Sequence, residues 1–407
     1  MALEPARCDA LSNRVVRFLL LTLGCAAPQT GYVQEPQQTV AAAGPPAESA
    51  APASRFRDPQ DGRFDVSSFL EEPKGFLPVP VVITEPAVGY GGGLVGMFLR
   101  PRKQAGEQGW ARPNISAVGA IGTENGTRAA FAGDASRWLD GRLKTLAGGG
   151  SGHINLDFYG AGLGLDVAAL DQAIRYSLDF DVALLQGNWQ ITPKSPWSIG
   201  LRYIYAQVEP KLRDEPVFPG PVDHVDVEIS TPAAVLEFDS RDNVFTPTRG
   251  IYAETVYLAS REELGASVEF ERFQQVVMGW YPVADTVTLG LRADYQRASD
   301  STPFFLRPYI ELRGVQAMRY QGDEMASGEI EARWRCRDRW SVVFAAGAGT
   351  ARSTRRDSAN SQDIASGAVG FRYELARKFG LHAGMDVGFS SETTAIYLQV
   401  GNAWFRP

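Results

Sequence analysis

The chain has 407 residues and a formal net charge of -7, with its basic residues scattered rather than gathered into a stripe, which excludes a nucleic-acid partner. Its 3 cysteines are Cys8, Cys25 and Cys336, the first two near the start, so the body of the chain has no thiol pair for a disulfide or a metal. No window beyond the leader reaches 18 apolar residues, which excludes a helical membrane span.

The first element in chain order is an export leader. Arg14 and Arg17 precede the apolar stretch FLLLTLGCAA, Phe18 to Ala27, and small residues suit cleavage near Ala26 or Ala27, so residues 1–27 read as a signal peptide. The other readings are a short anchor helix, for which the apolar run falls well short of the ~20 residues a span needs, and a lipoprotein signal ending at Cys25, with Thr22 standing where an aliphatic residue belongs. Residues 28–63, with runs such as AAAGPPAESAAPAS, are rich in Pro, Ala, Gln and Ser and carry few large apolar side chains. That composition cannot bury enough surface to order itself and reads as a disordered periplasmic tether. The folded body is expected over 64–407.

A first strand is expected near 87–101. The stretch PVVITEPAVGYGGGLVGMFL, Pro80 to Leu99, sets Gly89, Gly91, Gly92 and Gly93 among Val88, Tyr90, Leu94 and Val95. Glycine inside a strand weakens it and permits close approach of another backbone. Strand boundaries then blur through LKTLAGGGSGHINLDFYG and GLGLDVAALDQAI.

Beyond that region alternation with period two becomes clear. Strands are expected near 225–242, 249–265, 268–283, 285–300, 325–338, 339–353, 364–378, 379–392 and 394–405. In one of them Leu289, Leu291, Ala293 and Tyr295 oppose Gly290, Arg292, Asp294 and Gln296; in another Ile330, Ala332 and Trp334 oppose Glu329, Glu331 and Arg333. One face is apolar and the other small or charged. A soluble sandwich alternates in the same way, but strands of about ten residues, aromatics near strand ends (Trp334, Tyr373, Phe389, Trp404), short turns alternating with long loops, and an export leader favour a transmembrane barrel. The fold class is therefore all-β, a single antiparallel β-barrel of 16 strands, with 14 the nearest other count. Short turns such as WYPVAD, CRDRW and LARKFG fall at every second connection, which sets them on one side, expected to be periplasmic together with both termini.

Several motifs resemble the BamA/TamA family of outer-membrane proteins, the bacterial surface antigen family, over about Phe76 to Phe405. They are PVPVVITEPAVGYGGGL before and in the first expected strand; FDSRDNVFTPTRGIY, Phe238 to Tyr252, at a central hairpin; LRGVQAMRYQGD, Leu312 to Asp323, in a long loop; GEIEARW, Gly328 to Trp334; and the closing YLQVGNAWF. The resemblance implies that the long loop folds into the barrel through an Arg-Gly pair, matched here by Arg313 and Gly314, with Arg319 and Asp323 in the same motif. Family members carry an aspartate where this chain has Ala345 and Ala346, so the arginine's partner is expected to be Glu331 first, then Glu329 and Asp386. A guanidinium held by an inward carboxylate is a charge-assisted bond strong enough to pin such a loop. Family translocases also carry POTRA domains of ~75 residues, for which residues 28–63 are too short.

The resemblance further implies a weak seam between first and last strands, with Gly89, Gly91, Gly92, Gly93 and Gly401 as seam residues, where another polypeptide pairs with the exposed edge. Gly91 and Gly93 could equally make room for the inward loop. The expected partners are outer-membrane lipid and nascent outer-membrane or exported proteins, and the expected location is the cell outer membrane. A passive channel or structural barrel is the other reading of function. No catalytic, metal or cofactor site is expected. His153, His224 and His382 lie far apart, GGGSGH lacks the last glycine of a nucleophile elbow, and Glu329 and Glu331 beside Arg333 and Arg335 read as a charge ladder rather than paired catalytic carboxylates.

Overall fold

The computed structural model describes residues 56–71, 75–83, 87–100, 114–158, 174–193, 195–213, 226–353 and 360–404. The signal peptide, Cys25, most of the tether, His224 and Phe405 lie outside them. Sixteen strands follow one another in chain order in one antiparallel sheet. The first four are β1 (Gly75–Ile83), β2 (Gly91–Arg100), β3 (Asn114–Thr123) and β4 (Arg128–Trp138). Longer strands follow: β5 (Leu143–Phe158), β6 (Ile174–Gln190) and β7 (Trp197–Leu212). Next come β8 (Val227–Asp239), β9 (Gly250–Ser260), β10 (Phe270–Ala284), β11 (Val287–Ala298) and β12 (Glu324–Arg337). The sheet ends with β13 (Trp340–Ser353), β14 (Asn360–Ala376), β15 (Leu381–Ser390) and β16 (Thr394–Val400). It curls into a nearly closed barrel with an unsealed seam between β1 and β16.

Period-two alternation assigns the two faces. Leu291, Ile330, Phe344 and Val369 stand exposed on the outer surface, while Asp294, Glu329, Glu331 and Arg333 on the same strands are buried within. The inner wall, however, is not small or charged throughout. Along β4 to β8, Phe131, Ile154, Leu156, Leu178, Val208 and Ile229 turn inward and form one apolar cluster with Phe305, Leu306, Tyr309 and Met318 of the β11–β12 connection. Each such burial contributes about 1.5–3 kcal/mol relative to exposure. The long loop therefore rests on an oily wall on one side and a charged wall on the other.

Two expected strands are placed differently. The lead-in PVPVVI is itself part of β1, and the glycine run opens β2, paired with β1 from Gly91 opposite Ile83 and with β3 from Gly91 opposite Thr123. Pro78 and Pro80 argue against a strand except at a sheet edge, and the edge is where this strand lies. Gly91, Gly92 and Gly93 are thus one strand in from the seam, with Gly89 in the turn before them. A β-carbon on Gly91 or Gly93 would come within 2.2 Å or 2.3 Å of a carbonyl oxygen of β3, so these glycines serve the close approach of β2 to β3. At the other end β16 stops at Val400. Gly401, at φ 86°, turns the chain, Asn402 donates from its backbone to the Phe245 carbonyl at 2.6 Å, and Trp404, expected on the outer face, is 5% exposed inside the barrel.

The described residues begin before residue 64. Residues 56–63, read as the end of the tether, and α1 (Ser67–Glu71) lie against the β12–β13 and β14–β15 turns. There Arg339, held at φ 66°, reaches Asp58, Asp61 (2.5 Å) and Asp65 (2.7 Å). Val66 donates to the Leu375 carbonyl at 2.9 Å and the Tyr373 hydroxyl to the Phe64 carbonyl at 2.7 Å. This strap thus links turns beside β16 to the start of β1.

Candidate lumen lock and seam

The β11–β12 connection, residues 299–323, enters the barrel and returns. Its base is tied by Arg307, 1% exposed, whose Nη1 lies 3.0 Å from Asp323 Oδ1. Asp323 in turn donates from its backbone to the Arg352 carbonyl at 2.8 Å. Ile310 donates to the Tyr320 carbonyl at 3.0 Å, so the two limbs of the loop support one another.

At its tip Arg313 meets all three carboxylates proposed from the sequence. Its Nε donates to Glu329 Oε1 at 2.7 Å and its Nη1 to Asp386 Oδ2 at 3.0 Å, with Glu331 Oε2 2.8 Å away. Glu329 and Glu331 reach it from β12, and Asp386 from β15. Opposite the two glutamates β13 carries Gly347 and Ala345, and Leu312 of the loop packs into the space that a β-carbon on Gly347 would fill. Arg372 grips Asp386 from the next strand at 2.5 Å and 2.8 Å. The second oxygen of Glu329 accepts the indole N–H of Trp404 at 2.5 Å. Buried charges are tolerable only when paired and bonded in this way.

Gly314 sits at φ 80°, and a β-carbon there would come within 2.2 Å of the Phe389 backbone nitrogen. Its N–H donates to the Tyr397 hydroxyl at 3.0 Å, and its carbonyl accepts from Thr393 Oγ1 at 2.6 Å. Both partners belong to the β15–β16 hairpin, so the loop tip is bonded to the strand that borders the seam. Arg319 pairs instead with Glu392 in the β15–β16 turn, and Asp323 stays at the loop base; neither touches Arg313.

Tyr397, Thr393, Arg372 and Trp404 went unassigned from sequence. Tyr397 and Arg372 carried a signal: each falls on the inward face of its strand, where a hydroxyl or guanidinium needs a partner. Trp404 carried none, because its inward turn depends on contacts with the β8–β9 turn, distant in the chain. That turn, Ser240 to Arg249, matches the FDSRDNVFTPTRG motif: Arg241 chelates Asp239 at 2.8 Å through two nitrogens and lies 4.3 Å over the Tyr252 ring, and Pro247 O accepts from Arg333 at 2.7 Å. His153 on β5 bonds Asp179 at 2.7 Å, His382 lies on β15, and no group able to hold a metal is found among the described residues.

No protein-family model and no curated protein sequence matches the chain. Among solved structures, BamA from Haemophilus ducreyi lacking POTRA domains 1–3 is similar, at TM-score 0.52 and 9% identity over 79% of this chain and 68% of that one. CdiB from Escherichia coli matches at TM-score 0.58 and 13% identity, over 79% of this chain and 61% of that chain. CdiB from Acinetobacter baumannii matches at 0.54 and 11%, over 80% and 59%. This chain therefore spans less than two thirds of either CdiB chain. What is shared at such identities is the fold: the chain is an all-β barrel of 16 antiparallel strands, built like the BamA and CdiB barrels and left unsealed between β1 and β16.

Proposed function

We propose that the chain is an integral outer-membrane barrel whose loop 299–323 closes the lumen and whose β1–β16 seam assists insertion or export of another polypeptide. The band of outward apolar side chains, Leu94, Phe98, Leu201, Ile330, Phe344 and Leu398 among them, suits the hydrocarbon of a bilayer. On this reading the short turns and the strap lie in the periplasm, and the loop seals the barrel from outside.

The observation that carries the seam's role is the bonding of Gly314 to Tyr397 and Thr393. The element that shuts the lumen is fastened to the seam strand, so moving β16 disturbs the lock and releasing the lock loosens β16. The test is a disulfide across the seam, with cysteines at Val82 and Ile396 in a Cys336→Ser background. In liposomes the oxidised protein should no longer speed insertion of a urea-unfolded eight-stranded barrel polypeptide, and reduction should restore it. Equal insertion in both states would sink the seam's role.

A second reading, a barrel that stays shut and has no insertase role, is favoured by the depth of loop packing, with Ile310 0% and Val315 1% exposed. It predicts no insertion above that of empty liposomes, oxidised or reduced.

A further inference from the structure

We infer that the outer face of β6 to β9, mid-sheet and so across the barrel from the seam, carries a binding site for one diacyl phospholipid, its phosphate held by Arg142 and its chains laid in an apolar groove. This rests on the reading that the outer face lies in a bilayer, and on no role of the seam.

The groove comes from an uneven outer wall. Leu201 on β7 is 74% exposed and stands between Gly187, opposite it on β6, and Ala234, opposite it on β8. Tyr257 on β9 lies beyond Ala234 in the same row. In the next outward row Tyr203 stands between Leu185 and Pro232. Leu201 and Tyr203 thus form a ridge with a furrow on either side, one floored by Gly187 and the other by Ala234 and Pro232. Together the furrows make an apolar groove of about 850 Å³, within the range of about 300–1,000 Å³ usual for ligand sites. The Tyr203 hydroxyl is already bonded to Ser230 at 2.7 Å, so the far end of the groove presents a ring rather than a polar atom. Two furrows without polar groups suit two hydrocarbon chains.

At the near end the chemistry changes. Trp189 lines the groove, and the Arg142 guanidinium lies 4.9 Å over its ring. Backbone bonds fix Arg142 there: its N–H donates to the Leu139 carbonyl at 3.1 Å, and its carbonyl accepts from Gln190 at 2.9 Å. Leu139 and Asp140 before it stand at φ 52° and 56°, uncommon for residues other than glycine and kept only where the surroundings hold them. Arg313 and Arg339 are each enclosed by three carboxylates. Arg142 pairs with none among the described residues, and its buried Nε has no hydrogen-bond partner. A guanidinium stacked on an aromatic ring with its donors open is suited to a phosphate, which it grips as a fork. A cation at the mouth and hydrocarbon space behind it complement an amphiphile with one anionic head and two chains. A phospholipid of the leaflet on the short-turn side supplies both.

The experiment uses full-length protein in liposomes containing phosphatidylglycerol with a diazirine in one acyl chain. Adducts are mapped by mass spectrometry, and the yield within 185–203 and 232–259 is divided by the yield on β13 and β14. In the unaltered protein this ratio should stand well above one, and it should be about tenfold lower with a diacylglycerol that carries the same diazirine and no phosphate. Arg142→Gln should bring the two probes to the same ratio. Gly187→Leu with Ala234→Leu fills both furrows and should bring the ratio to one with either probe. A β-carbon on Gly187 meets nothing closer than Leu143 at 4.0 Å, so this variant should keep its fold, checked by heat-modifiable migration on gels. If it misfolds, Arg142→Gln at the rim decides alone. Even labelling around the unaltered barrel overturns the inference, because lipid that merely surrounds the protein gives that result. Equal ratios for the two probes overturn it as well, as does a groove labelled less than β13 and β14, the outcome if a second copy of the chain covers it. A chain that fails to enter liposomes would overturn the membrane reading and this inference with it, whereas the insertion test of the seam stands or falls independently.

Discussion

Two arginines in this molecule are each enclosed by three carboxylates, and the enclosures are built in opposite ways. Arg313 rides on the loop and its acids, Glu329, Glu331 and Asp386, are fixed on barrel strands. Arg339 is fixed in a tight turn of the barrel and its acids, Asp58, Asp61 and Asp65, ride on the strap. In the lumen the barrel holds three negative charges together whether or not the arginine is present. At the turn the acids come together around Arg339 and its neighbour Arg377, and ordering that segment costs about 1–2 kcal/mol per residue in backbone entropy. The same ion-pair chemistry thus gives a scaffold that presents its carboxylates to the loop in one place and a segment gathered onto the barrel's arginines in the other.

The sharpest way to separate them is to remove each arginine. Arg313→Ala leaves the buried Glu329 and Glu331 without their guanidinium, Asp386 keeping Arg372, and should cost about 3–5 kcal/mol, seen as a lower unfolding temperature together with higher single-channel conductance as the loop leaves the lumen. Adding Glu331→Gln in that background should recover part of the loss, because it removes repulsion the barrel otherwise imposes. A variant that unfolds at the original temperature would mean the acids are not held together by the strands. Gly314→Ala is expected to do less: a residue forced to φ 80° costs about 1–3 kcal/mol, and its β-carbon must also displace the Phe389 backbone. Its signature is higher conductance with the Arg313 cage otherwise intact.

Arg339→Ala should act on the strap alone. Loss of about 1.4 kcal/mol of docking makes residues 56–71 roughly tenfold more accessible to limited proteolysis, while the barrel's unfolding temperature barely moves. A large drop in that temperature would show that the strap, like the loop, is part of the scaffold.

The sequence made some of this legible and hid the rest for physical reasons. From β8 to β15 the boundaries lie within a few residues of expectation, as for β11 at Val287–Ala298 against 285–300, because charged or small residues face apolar ones without interruption. In β5 and β6 glycine and apolar residues occupy both faces, and the alternation that marks a strand is lost. β1 was concealed by its own prolines, which mark an edge only once the neighbours are known. The apolar inner wall was invisible because Phe131 or Leu178 packed on a loop has the same letters as one facing outward. Arg313 and its three acids were each picked out, yet that one guanidinium reaches all three depends on β12 and β15 converging, and Asp386 lies 73 residues from Arg313 in the chain. The strap enclosure was missed because Asp58 and Asp61 fell within the bounds drawn for the tether, far in the chain from Arg339.

The smallest expected effect is one of pH, and it falls on the strap. The hydrogen bond from Arg339 holds the Asp61 carboxyl below the usual range. For Asp65 burial pushes upward, but bonds from Ser67, the Arg377 backbone and Arg339 outweigh it and its net shift is also downward. A carboxylate whose folded value is depressed contributes stability that is fully present above the unfolded value of about 3.9 and is lost as pH falls through the folded value. The strap should therefore stay docked from neutral pH down to about 4 and loosen only below that. Pepsin, active in that window and drawn to Phe56, Phe64 and Phe69, reads this out when its cutting of the strap is normalised to an unstructured peptide carrying the same residues. Normalised cutting should rise as pH drops from 5 to 2, and Asp61→Asn, with one bonded carboxylate fewer to protonate, should show more cutting at pH 5 and a shallower rise. A flat profile in the unaltered protein would mean that the acids do not hold the strap, leaving the Phe64 and Val66 backbone bonds as its fastening.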